Sequence, residues 1–300
     1  MDRWGLGYHR LRQIRPDIIY AQQSGMGTVG RYGRYRAVGP IAAALSGVSE
    51  MSGLPEPAMP AGWGYWIGAY SFAAAMLAAL HHRDRTGRGR WIDASQTESG
   101  IFVAGGAILD WSANDRPWAR TGNMSADGRA FPHGVYRCQG THRWLAIACV
   151  TDEERRALAK VIGMDAAGQR LLTVTAGAQA AADEVDALIA RWTLGHDAYT
   201  AMYELQASGV PAGVCQDAYD RCDADPQLRH LHWLTEVTGT KIGRWPVAEV
   251  PVKLSETPAH IGRVLDRGAP CYGEDNEWVL GELLGYGSSD IAELEEDGVI

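Results

Sequence analysis

The chain has 300 residues, 46% hydrophobic and 21% charged, with a formal net charge of -8. That length suggests one large or two ordinary domains, able to bury a core without staples. The acidic balance argues against a general polyanion binder, so nucleic acid is not an expected partner. The five cysteines are odd in number, far apart and without a C-x-x-C pair, which points away from a disulfide framework or a zinc site and toward a reducing cytoplasm. MDRWGLGYHRLRQIRPD at the start has no apolar secretory core, so the chain is expected to begin as written.

In chain order, Gly7 to Ile14 reads as a short helix, and the β-rich run Asp17 to Gln22, bounded by Pro16 and by Ser24-Gly25, as a strand. Gly25 to Gly30 is a loop, and Ala37 to Met51 a helix with Pro40 in its first turn. Ala61 to Leu80 carries no charged residue and then gives way to His81, His82, Arg83, Arg85, Arg88 and Arg90. A membrane span needs about 20 apolar residues. This stretch just meets the length, but its glycines and alanines make it weakly hydrophobic, so a packed soluble helix from about Trp66 to Arg83 is the expectation. The basic cluster after it suits a solvated helix C-terminus, with a phosphate-holding role as the rival.

A strand at Arg90 to Ala94 and a helix from about Gln96 to Trp111 complete an α/β order, and the polar, Gly-rich stretch Asn114 to His133 marks a boundary. Two strand-like runs follow, Gly134 to Cys138 and Arg143 to Cys149, joined as a hairpin. Thr151-Asp-Glu-Glu154 opens a mainly helical middle region, Val210 to Cys215 is a returning strand, and Asn276 to Leu284 and Ser289 to Asp297 are terminal helices.

LAALHHRDRTGRGRWIDASQTES resembles the helix, T-G-R-G turn and V-D-x-S strand of class III CoA-transferases. RPDIIYAQQSGMGTVG with the helix after it, GVYRCQGTHRWLAIAC, SGVPAGVCQD, PVKLSETPAHIGR and the C-terminal helices extend the resemblance over nearly the whole chain. The resemblance implies an α/β fold: an incomplete Rossmann-like large domain (residues 1–112), a smaller α+β domain (113–233) and a return to the large domain (234–300). It also implies interlocked dimers, and transfer of CoA from an acyl-CoA to a carboxylic acid with the CoA thioester as substrate and no further cofactor.

Two departures stand out. Relatives usually carry about a hundred residues before the position of Met1, among them the first strands of the CoA-binding domain. The family's catalytic Asp, which attacks the acyl-CoA carbonyl, falls at or next to Tyr65, yet no Asp or Glu lies between Glu56 and Asp84. A phenol with a pKa near 10 cannot replace it. Asp84 is roughly 25 Å down the helix at about 1.5 Å per residue, and Glu56 sits in a Pro-flanked loop. The racemase branch's His is also lacking, the stretch reading Val38-Gly39; His133, His142, His230 and His232 are expected to be ordinary surface or satisfied residues.

What the resemblance retains is CoA contact. Asp2-Arg3-Trp4-Gly5 resembles the family's D-R-M-G stretch, implying Arg3 on a phosphate and Trp4 packing on the adenine, and Arg36 falls where a Lys or Arg near CoA is common. No metal site is expected. Trp63, Tyr65, Trp66 and Tyr70 hint at a bulky or aromatic acid. The rival readings are a catalytically inactive subunit paired with an Asp-bearing longer homologue, or a CoA-binding protein, and a membrane-associated helical protein.

Overall fold

The computed structural model describes residues 1–54, 64–125, 128–172, 179–258, 261–262 and 267–300. Two compact units emerge, Met1–Val214 and Cys215–Ile300.

The first unit opens with a single helical turn, Asp2–Trp4, then α1 (Tyr8–Ile14) and β1 (Ile19–Ser24). Pro40 at the start of α2 (Gly39–Leu45) needs no N–H there. Gly47, at φ 85, separates α2 from α3 (Val48–Met51), where sequence periodicity predicts one continuous helix. α4 (Gly64–Thr86) ends in a left-handed cap at Gly87, whose N–H donates to Arg83 O at 2.7 Å. β2 (Arg90–Ser95) then pairs with β1 in parallel, in the register Ile19↔Arg90 through Ser24↔Ser95. Ser95 caps α5 (Gln96–Val103), accepting Glu98 N–H at 3.1 Å, and α6 (Gly105–Asn114) follows after Ala104.

Period-two alternation sorts the side chains of this parallel pair. Gln23 points to one face, where its Nε2 donates to Gly68 O of α4 at 2.7 Å. Tyr20 and Trp91 occupy the other, where Tyr8 of α1 packs with ring centroids 6.0 and 6.1 Å away. Helices therefore cover both faces, the arrangement parallel strands require.

The rest of the unit is built on a three-stranded antiparallel sheet of β3 (His133–Arg137), β4 (Trp144–Ala148) and β5 (Ala212–Val214) in the order β3-β4-β5. Around it lie α7 (Asp152–Val161), α8 (Ala166–Leu171), α9 (Gln179–Leu194) and α10 (Ala198–Ala207). Leu145, Ile147, Leu158, Val185, Ile189 and Leu205 fill the core between sheet and helices. Each contributes about 1.5–3 kcal/mol through burial.

In the second unit a wide helical turn at Asp220–Ala224 precedes α11 (Pro226–His230) and a hairpin of β6 (Leu234–Gly239) and β7 (Gly243–Ala248). Buried Glu249 turns its Oε1 onto the amides of Val250 and Ile261 at 2.8 and 3.0 Å. A second wide turn, Glu277–Leu283, and α12 (Ser288–Glu296) stand where sequence periodicity places the two terminal helices. Among the described residues no helix is long and apolar enough to cross a membrane.

Candidate active site

Where β1 and β2 end, three elements converge. α4 runs back along the sheet, so its amino end reaches the carboxyl ends of both strands. Its backbone comes so close to α5 that a Cβ on Gly68 would lie 3.0 Å from Gln96 Cγ and 3.3 Å from Gln96 Cα. On the β1 side, Gly25 O accepts the Thr97 amide at 3.0 Å and the Thr97 hydroxyl at 2.8 Å. That same hydroxyl approaches Met26 Sδ at 3.2 Å.

The remaining groups at this edge are polar. Both oxygens of Asp93 accept the Thr28 amide at 3.1 Å. Ser24 Oγ, at the last residue of β1, is a buried hydroxyl with no hydrogen-bond partner among the described residues. Gln22 Oε1 takes the Trp91 indole N–H at 3.1 Å. In an open α/β sheet the carboxyl ends of the strands form the crevice where ligands bind. Here that edge carries the Ser24 hydroxyl, unpartnered among the described residues, the Gly25 carbonyl and Thr97 hydroxyl bonded to each other, and the start of a long helix held by Gln23.

Of the residues singled out from sequence, Arg3 and Trp4 form the single turn before α1, both exposed, Trp4 at 76%. Arg36 is exposed in the loop between β1 and α2. No hydrogen bond, ion pair or ring contact joins Arg36 to Arg3 or Trp4 among the described residues. Glu56, Trp63 and the side chains of Tyr65 and Trp66 lie outside the described residues. Tyr70 is 61% exposed on α4.

Asp84 occupies the last turns of α4, paired with Arg83 at 3.7 Å, at the opposite end of the helix from Gly68. The basic cluster shares that far end. Arg90 Nη2 lies 2.6 Å from His82 Nε2, and burial together with the Arg90 charge holds the His82 pKa below its ordinary value. His133 is in hydrogen-bond contact with Asn123 O, and His142 and His232 hold positive φ in turns. Among the described residues no group of His, Cys, Asp or Glu could hold a metal ion.

Sequence reasoning missed Gln23, Gly25, Gly68, Gln96 and Thr97. Their roles are close approach and cross-strand bonding, set by the pairing of strands about seventy residues apart. The glycines of Ser24-Gly-Met-Gly27 after a strand were the available signal.

Comparison with known proteins gives this geometry its class. The profile of CoA-transferase family III matches residues 1–276. A succinyl-CoA–D-citramalate CoA-transferase of Chloroflexus aurantiacus is 30% identical over 307 residues, spanning 100% of this chain and 74% of that protein. The beta subunit of a succinyl-CoA–L-malate CoA-transferase from the same organism is 28% identical over 310 residues, again 100% and 74%. A succinyl-CoA:mesaconate CoA-transferase of Haloarcula marismortui is 30% identical, covering 94% of this chain and 70% of its own. The crystal structure of a CaiB/BaiF family protein from Brucella suis superposes with a TM-score of 0.81 at 23% identity, over 94% of this chain and 72% of the other.

The fold is thus that of the class III CoA-transferases. The chain belongs to CoA-transferase family III and is an enzyme of that family, acting on acyl-CoA and carboxylic acid substrates.

Proposed function

We propose that CoA moves from an acyl-CoA to a carboxylic acid at the carboxyl edge of β1 and β2, beside the amino end of α4. The observation that carries this location is the approach of Gly68 to Gln96, with Gln23 bonded to Gly68 O. It sets the strand ends against the stretch where family resemblance puts the nucleophile, at or next to Tyr65.

In the family reaction a carboxylate attacks the thioester carbonyl, forming a mixed anhydride and releasing CoA thiolate. The thiolate attacks the enzyme's carbonyl, freeing the donor acid and leaving an enzyme thioester. The acceptor carboxylate repeats the sequence in reverse and leaves as the new acyl-CoA. Both intermediates hydrolyse in water, so the reaction requires that water be excluded where they form. Arg3 is assigned to a CoA phosphate, since guanidinium forks match phosphate oxygens, Trp4 to the adenine, and Arg36 to a contact with CoA. The thioester is substrate, and this chemistry calls for no further cofactor.

A second reading has a specific observation behind it. No Asp or Glu lies between Glu56 and Asp84, and among the relatives the L-malate enzymes are named as alpha and beta subunits. On this reading a longer homologue supplies the nucleophile and this chain supplies CoA binding; in the first, two copies form a homodimer. The five cysteines carry thiols, in keeping with a cytoplasmic protein.

Isotope exchange tests both readings. The purified chain is incubated with succinyl-CoA and labelled succinate, then trapped with borohydride. Label entering the thioester, with an adduct on a carboxylate of this chain, supports the first reading. Exchange only after a longer homologue is added supports the second. No exchange in either case contradicts both.

A further inference from the structure

The segment between β1 and α2 is a loop whose neck, tether and charge are all defined. At the neck, a Cβ on Gly25 would lie 2.3 Å from Ala37 Cβ and 3.2 Å from Ala37 Cα, so the two ends meet only because residue 25 is glycine. Three residues on, the Asp93 carboxylate holds the Thr28 amide with both oxygens at 3.1 Å. The loop then folds over that tether: a Cβ on Gly33 would lie 2.6 Å from Thr28 O. Turn bonds run from Gly33 N to Gly30 O at 3.3 Å and from Tyr35 N to Tyr32 O at 2.8 Å. A compact surface loop with its ends together is a form frequently used for recognition.

Its exposed face carries Arg31, Arg34 and Arg36. Among the described residues none of the three forms an ion pair, and the sequence has no Asp or Glu between Asp17 and Glu50. The Tyr32 and Tyr35 rings, three residues apart, lie with their centroids 5.0 Å from each other. Arg31 and Arg34 share that spacing. Two exposed arginines three residues apart on one compact loop, without a counter-charge, suit an anionic ligand, and each guanidinium matches a carboxylate bidentately. The loop is rooted at the carboxyl edge of β1 and β2, where the CoA-transfer reading puts the reacting end of the substrate.

We propose that Arg31 and Arg34 recognise the free carboxylate of a dicarboxylic acyl group and so determine specificity, with Asp93 as the positioning residue that tethers their loop. This rests on the CoA-transfer reading above. A charge-assisted hydrogen bond contributes about 1.5–3 kcal/mol, equivalent to a preference of roughly ten- to a hundredfold.

Equilibrium dialysis of the full chain against succinyl-CoA and acetyl-CoA tests it without requiring turnover. The wild type binds succinyl-CoA at least about tenfold more tightly. The Arg31→Ala/Arg34→Ala variant binds both thioesters alike, at the wild-type affinity for acetyl-CoA, and Arg31→Lys/Arg34→Lys recovers part of the preference. Asp93→Asn weakens succinyl-CoA selectively, with faster amide hydrogen exchange confined to residues 25–37. Equal binding of the two thioesters by the wild type overturns the assignment, as does a preference that survives Arg31→Ala/Arg34→Ala. An equal loss for both thioesters overturns it too, because the arginines would then serve the CoA phosphates. If neither thioester binds the wild type, the transfer reading falls with it, a result distinct from binding without preference.

Discussion

Gly68 brings the backbone of α4 against Gln96 at the start of α5, so closely that a Cβ would sit 3.0 Å from Gln96 Cγ. Gln23 fixes the same point from the sheet by donating to Gly68 O at 2.7 Å. Valine at position 68 forces the helices apart. Overpacking of this kind costs about 1–3 kcal/mol, and the Gly68→Val chain is expected to melt several degrees lower and to lose CoA exchange. An unchanged melting temperature would remove the close approach from the account.

The core of the β3-β4-β5 sheet makes a second, independent demand. Leu145 is fully buried among the side chains of β4 and its covering helices. Leu145→Ala is expected to cost about 2–5 kcal/mol, measured by urea unfolding. A loss below about 1 kcal/mol would mean that the site collapses around the smaller side chain.

Tyr136 donates its hydroxyl to Asp186 Oδ1 at 2.6 Å. Burial pushes the Asp186 pKa up, against the lowering effect of that hydrogen bond, and the neighbouring Asp183 charge raises it further. Burial, then the Asp186 bond, likewise push the Tyr136 phenol up. The sign follows from linkage: a carboxyl raised on folding binds its proton more tightly in the folded state. Its contribution to stability is full below the ordinary carboxylate pKa and declines as pH rises through the folded value. Asp186→Asn keeps the acceptor oxygen and removes the charge, so the variant should gain on the wild type from pH 4 to 7. A difference that does not change with pH would contradict this.

Glu154 carries the opposite sign. Thr151 and Val150 amides donate to its Oε2 at 2.9 and 2.6 Å, and these bonds, Thr151 first, hold its pKa below the usual range. That stability is present above the unfolded pKa and is lost as pH falls through the folded one. Glu154→Gln should therefore flatten the acid limb of the stability profile. Thr151→Ala removes only the reciprocal bond to Glu154 N, at 3.2 Å, and should cost about 1 kcal/mol at neutral pH.

Local chemistry made much of the first unit legible. Pro40 and the Thr151 capping box announce helix starts, and Gly87 announces a stop, because each acts within one turn of itself. Gly47 was equally visible, but only its left-handed φ of 85 divides α2 from α3. The β6–β7 hairpin went unread although Leu-Thr-Glu-Val-Thr before Gly239 is β-branched and turn-bounded. The crevice is a different case. Asp93 reads as one more strand residue until Gln22↔Asp93 pairing and the Thr28 tether show what it holds, and that register joins residues too distant for any local pattern.

Amide hydrogen exchange with and without coenzyme A tests the location of the site most directly. Slowed exchange is expected at residues 25–38 and 95–100, the loop and helix start at the carboxyl edge of β1 and β2. Protection confined to residues 81–90, the basic end of α4, would contradict it and move the nucleotide to the opposite edge of the sheet.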